Sequence, residues 1–129
     1  MAREAILIVD DNAANLKLAR VLLTGEGYEI HTANDAEEAA ELLQTLSPRL
    51  ILMDIQLPGM DGLEFTRLLK SDPTRRNILV IALTAYAMKG DEERARAAGC
   101  DGYITKPIDT DTLPGVIAEY LSQAPALKG

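Results

Sequence analysis

The sequence predicts an α/β fold: one five-stranded parallel sheet in the order 2-1-3-4-5, with helices on both faces. Three observations carry that expectation. Short apolar runs alternate strictly with helix-period segments, which calls for right-handed crossovers between parallel strands. Most of the apolar runs are continuous rather than alternating, as strands covered on both sides tend to be. A chain of 129 residues suits a single domain with a sizeable core.

The first strand is AILIV (5–9). Residues 13–24 then place Leu16, Ala19, Leu22 and Leu23 on one helical stripe. YEIHT (28–32) alternates, which suits an edge strand, and the next helix opens at Asn34 with Glu37 three positions on, a capping arrangement. That helix shows Ala36, Ala39, Ala40 and Leu43 on one face. RLILM (49–53) is the third strand, and 61–70 aligns Phe65, Leu68 and Leu69. ILVIA (78–82) is the fourth. The following segment, GDEERARAAG (90–99), offers a core only alanines, so tertiary burial holds that helix weakly. Asp91, Glu92 and Glu93 complement the dipole at its start, and Gly99 can end it. GYIT (102–105) is a short fifth strand at the other edge. The last helix carries Leu113, Val116, Ile117, Tyr120 and Leu121, with Pro114 tolerable only in its first turn. Pro48 and Pro73 fall between elements, where breakers belong. Residues 1–124 read as one domain and 125–129 as a frayed tail.

Composition narrows the class. The chain is 47% hydrophobic and 26% charged, a globular balance, and its formal charge of -7 argues against unspecific nucleic-acid binding. No segment approaches the roughly 20 apolar residues of a membrane span. The start, MAREAILIVDD, lacks the pattern of a secretory signal. One cysteine, Cys100, excludes an intrachain disulfide and fits a reducing compartment. A soluble, cytoplasmic protein with no membrane insertion is the expectation.

The stretch LILMDIQLPGMDG (50–62) runs four large apolar residues into Asp54 before turning at Pro58-Gly59. Alone, Asp54 reads as a turn former. The other strand ends change that. The first strand finishes in Asp10-Asp11, the fourth in Thr84 and the fifth in Lys106-Pro107, and the proposed strand order makes these neighbours. Three carboxylates, a hydroxyl and an ammonium then share one rim, at the switch point where such sheets bind ligands. Crowded carboxylates repel, so one must protonate or a cation must join them. Oxygen-only ligands select a hard ion, and Mg²⁺ suits because it keeps waters and pairs with phosphate oxygens. The set fits an aspartate that accepts a phosphoryl group, Asp54 being central, with Lys106 and Thr84 holding the phosphoryl oxygens.

With ILIVDDN (6–12), LILMDIQLPGMDG (50–62), ALTA (82–85) and YITKP (103–107) in order, the chain resembles the receiver domain of bacterial two-component response regulators over essentially its whole length. MDIQLP (53–58), TAYAMKGDEER (84–94) and Gly99-Cys100 are most similar to DivK-type single-domain regulators, which act in cell-cycle and polarity signalling. The resemblance implies a flavodoxin-like receiver fold. Asp54 matches the phosphoacceptor, Asp11 and Asp54 carboxylate ligands of Mg²⁺ with the Gln56 carbonyl, and Asp10 an acid acting on the metal through water. Lys106 matches the phosphate-pairing lysine, Thr84 and Tyr103 the switch pair. The Lys106-Pro107 bond would be cis, against about 5% of X-Pro bonds generally. Gln56 and Tyr86 flank the phosphoryl site and are read as setting its lifetime. Met88, Lys89, Tyr103 and Pro107 border a partner surface formed by the fourth helix, fifth strand and fifth helix. The implied donor is a histidine kinase or histidine phosphotransfer protein. The output is a changed surface for a protein partner, a kinase among the candidates, without DNA binding. Such a chain catalyses its own Mg²⁺-dependent phosphorylation and dephosphorylation without turning over an external substrate.

Plainer readings stand beside these. Asp10 and Asp11 could cap the first helix, although Asn12 can do that; Tyr103 could be a packing residue; His31 reads as a strand-end residue and Cys100 as a small packed one. Acidic residues 91–93 can form a solvated face. An aspartate-nucleophile phosphatase would want a second acid where Gln56 stands. A carrier of flavin mononucleotide would want a Gly/Ser/Thr phosphate loop where Asp10-Asp11-Asn12 repels phosphate. A receiver excised from a hybrid kinase is the nearest alternative.

Overall fold

The structure, a computed structural model, describes residues 4–55, 62–84, 89–105 and 109–123. The tail read at 125–129 lies outside them. Elements alternate as expected: β1 (Ala5–Val9), α1 (Ala13–Thr24), β2 (Glu29–Ala33), α2 (Ala36–Leu42), β3 (Leu50–Asp54), α3 (Gly62–Ser71), β4 (Leu79–Thr84), α4 (Lys89–Ala98), β5 (Gly102–Thr105) and α5 (Leu113–Gln123). The strands form one parallel sheet in the order β2-β1-β3-β4-β5. The two weaker strands are indeed its edges. Among the described residues, no helix is long and apolar enough to cross a membrane.

Strand alternation splits the core into two layers. Leu7, Val9, Ile51, Met53, Val80 and Ala82 face one side and pack with α2, α3 and α4. Ile6, Ile8, Leu50, Leu52, Ile81 and Leu83 face the other and pack with α1 and α5. Burial is uneven among the helices. α5 inserts Leu113, Ile117 and Leu121, and three such side chains contribute roughly 5–9 kcal/mol. Among its described side chains α4 buries Ala95 and Ala98, whose two methyls contribute roughly 1.5 kcal/mol.

Several local expectations shift. The cap of α2 is Asp35, one residue after Asn34, and its carboxylate accepts the Glu38 N–H at 2.8 Å; Glu38, not Glu37, reaches back to accept the Asn34 N–H. Leu68 lies outside the α3 stripe, 52% exposed, and Thr66 takes the buried place by donating its hydroxyl to the Gly62 carbonyl at 2.8 Å. His31 sits in the middle of β2 rather than at its end, paired with Leu7, with Nε2 2.8 Å from Glu29 Oε2.

Gly99 ends α4 as foreseen. Its φ of 106° lets its own N–H reach the Arg96 carbonyl and the Cys100 N–H reach that of Ala95, both at 3.0 Å. A Cβ at Gly99 would also lie 2.8 Å from Lys70 Cγ. Cys100 is buried, and its thiol points to Thr66 Oγ1 at 4.0 Å. Burial pushes that thiol above its usual 9.0, and the Thr66 contact opposes the shift without cancelling it.

Gly99→Ala is expected to lower unfolding free energy by about 1–3 kcal/mol in urea titrations, because an alanine must adopt the left-handed conformation and displace Lys70. Cys100 should resist a thiol-disulfide reagent at pH 8 in the native protein and react stoichiometrically in denaturant. Because the folded state binds the thiol proton more tightly, this group's contribution is complete below its usual pKa and fades as pH rises beyond it.

Candidate functional site

The carboxylates of the expected rim lie at the carboxyl ends of β1 and β3, which sit side by side because the chain reverses strand order after β2. Asp54 is the last residue of β3 and Asp10 follows β1 directly, with its N–H extending the ladder to the Ala33 carbonyl at 3.1 Å. One carboxylate oxygen each from Asp10, Asp11 and Asp54 lies within 4.8 Å of the other two. Asp10 and Asp54 are buried and Asp11 is exposed.

Asp10 is held by the start of α1. Its Oδ1 accepts the Asn12 N–H at 2.9 Å and its Oδ2 accepts Asn15 Nδ2 at 3.2 Å. Asn12, in turn, caps α1 by accepting the N–H groups of Ala14 and Asn15. The capping alternative for Asp10 and Asp11 therefore falls away. Asn15 is a site residue that sequence reading missed; the signal available was an amide one turn into the helix, in reach of the preceding carboxylate. Gly62, the first residue of α3, is the other. A Cβ there would collide with the Asp54 carbonyl oxygen, so glycine lets α3 begin directly against the end of β3.

Thr84 ends β4, buried, one residue beyond the Leu83 that pairs with Asp54, and itself pairs with Thr105. Tyr103 pairs with Ala82 on β5, half-buried against the α2–α4 layer. Alternation puts Thr84 and Tyr103 on the same face of the sheet. Gln56, Tyr86, Met88, Lys106 and Pro107, with the Lys106-Pro107 bond, lie outside the described residues. Lys89 opens α4, its side chain likewise outside them.

Two like charges no more than 4.8 Å apart repel by at least about 3.5 kcal/mol at an effective dielectric near 20. The sheet holds three such groups together, so the pocket favours a counter-cation. Its donors are all oxygen among the described residues, the chemistry of a hard divalent ion.

The sequence matches the response regulator receiver domain family over residues 6–118. The chain belongs to that family, whose members are phospho-accepting signalling modules. It is 49% identical over 121 residues to the polar-differentiation response regulator DivK of Brucella anthropi, covering 94% of this chain and 98% of that protein, and equally so to DivK of Brucella ovis. Among solved structures it superposes on a CheY-like receiver domain protein from Methanospirillum hungatei with a TM-score of 0.87 and 33% identity, covering 95% of this chain and 97% of that one. It also matches the receiver domain of the sensor histidine kinase PA1611 from Pseudomonas aeruginosa, solved with a magnesium ion in its active-site cleft, with a TM-score of 0.85, 31% identity, and coverage of 95% and 100%.

Asn12→Ala should cost about 1 kcal/mol of stability through the lost cap of α1, read as a lower midpoint in thermal unfolding.

Proposed function

We propose that this receiver is a phosphorelay switch in which Asp54 takes the phosphoryl group of a phosphohistidine on a histidine kinase or phosphotransfer protein. The observation that carries the reading is the convergence of Asp10, Asp11 and Asp54 within 4.8 Å at the ends of adjacent central strands. In the transfer, an Asp54 carboxylate oxygen attacks phosphorus while the P–N bond breaks, and the departing imidazole nitrogen takes a proton. Later hydrolysis breaks the acyl phosphate and restores the carboxylate. The chain thus acts on its own aspartate, not on a separate substrate.

The donor set fits Mg²⁺, which Asp11, Asp54 and the Gln56 carbonyl would hold, with Asp10 acting through water; the magnesium in the related receiver domain supports the choice of ion. Bound there, the ion supplies neutralisation of the crowded carboxylate and phosphoryl oxygens. The exposed Asp11 and the inward Asp10, whose oxygens already accept from Asn12 and Asn15, suit those two roles. Lys106 pairs with a phosphoryl oxygen and the Thr84 hydroxyl donates to another. As Thr84 moves inward Tyr103 follows, and α4, weakly anchored, shifts the surface it makes with β5 and α5 around Met88, Lys89, Tyr103 and Pro107. Gln56 and Tyr86 gate the attacking water. The output is altered binding of a protein partner, and likeness to DivK supports a part in polar differentiation.

Incubation with acetyl phosphate should add one phosphoryl group by intact mass, only with Mg²⁺ present and not in Asp54→Asn. Asp11→Asn should weaken the metal requirement's apparent affinity at least ~10-fold. Equal labelling of the parent and Asp54→Asn would remove Asp54 from its role.

A further inference from the structure

We propose that Lys70 and Asp101 are positioning residues of this receiver. Their ion pair, at the end of the sheet away from the carboxylates, fixes the register of β5 against β4 and with it the alignment of Tyr103 and Thr84. This rests on the reading of Thr84 and Tyr103 as a switch pair.

β5 is short of its neighbour: it starts at Gly102, whereas β4 runs from Leu79. In a parallel ladder successive N–H groups point to opposite sides. Leu79 donates toward β3, to the Arg49 carbonyl at 3.0 Å, so the Val80 N–H faces the side where β5 has not yet begun. Asp101 completes the ladder there. Its Oδ2 accepts the Val80 N–H at 2.9 Å, and its own N–H donates to the Val80 carbonyl at 2.8 Å. The same Oδ2 accepts Lys70 Nζ at 2.8 Å. Lys70's other bonds go to the carbonyls of Arg76 at 3.1 Å and Ile78 at 2.7 Å, so three acceptors meet its three N–H donors. Its stem crosses Gly99, where any Cβ would strike it. One ammonium thus ties the end of α3, the approach to β4 and the entry to β5.

The register needs such a pin. β5 has four residues at a sheet edge; Gly102 is buried under the Tyr120 ring, while Tyr103 and Ile104 are only half-buried, against opposite layers. Side-chain packing thus sets which face each takes and leaves the entry of the strand to be fixed by Asp101. A slip of one residue would turn Tyr103 to the α5 face. A slip of two would keep its face and move it roughly 6.6 Å along β4. Only the observed pairing, Ala82 with Tyr103 and Thr84 with Thr105, lets the Asp101 carboxylate meet both the Val80 N–H and Lys70 Nζ. The donor and acceptor are partly screened, yet the bonds are charge-assisted and share one oxygen, which gives them direction as well as strength.

The test uses the full chain with 3-fluorotyrosine in place of its 4 tyrosines, the Tyr103 fluorine resonance being assigned with Tyr103→Phe. Lys70→Met keeps the stem over Gly99, and Asp101→Asn keeps an oxygen for Val80 while removing the negative charge that draws the ammonium. Phosphoryl uptake from acetyl phosphate and Mg²⁺, followed by mass in the same samples, should stay within about twofold of the parent in both. The parent should show one Tyr103 line that moves on phosphorylation. Both variants should show that line already divided before phosphorylation, and Val80 amide exchange roughly tenfold faster, because the Val80 bond is weakened once the ion pair that holds its acceptor is gone. If either folded variant keeps a single Tyr103 line with the parent's shift, the pair is only a brace and the proposal is overturned. A parent that takes up phosphoryl without moving Tyr103 overturns the switch reading and this proposal together; a parent that takes up none overturns the assignment of Asp54 instead.

Discussion

Mutual repulsion among Asp10, Asp11 and Asp54 is the constraint around which the molecule is built. Carboxylates free to separate would do so. Here two of them terminate adjacent strands whose side chains are locked from both faces, and the third is one peptide further on. The sheet therefore spends core stability on holding like charges together, in an arrangement that a cation would relieve. Asn12, Asn15 and Gly62 belong to the same device. The first two steer Asp10 inward, and the third brings α3 close enough to crowd the end of β3.

Much of this was legible because it depends on order rather than on contacts. Continuous apolar runs gave away strands buried on both sides, and once the order was assumed, the residues after each run had to meet. The errors have equally physical sources. Asn34 and Asp35 are both good caps, and Glu37 and Glu38 stand three residues on from each, so two registers of one capping arrangement are written side by side. Leu68 and Leu69 are adjacent and only one can face inward; the stripe was completed by Thr66, a polar residue that hides in the core because its hydroxyl bonds back to Gly62. His31 reads as a strand-end residue only because Tyr28 continues the alternating run one residue before β2 begins.

Contacts distant along the chain were not legible at all. Nothing local marks Lys70 as the partner of Asp101, since neither motif nor periodicity relates a helix end to the entry of a strand 31 positions later. The same is true of Arg49, whose Nη2 donates to the Leu121 carbonyl at 3.4 Å and so ties the start of β3 to the end of α5. Both sit at the amino end of the sheet. The molecule thus has a braced base and, at the opposite end of the sheet, the acidic pocket.

The division of the core into two layers has an evolutionary corollary. Apolar side chains of the α1/α5 side and of the α2–α4 side occupy separate clusters, with the sheet backbone between them. A volume change in one cluster is absorbed by its own helices and need not be repaired in the other. Lineages can accordingly remodel one flank for a new associate while the opposite flank drifts under unrelated pressures, which makes this architecture easy to diversify without first dismantling it.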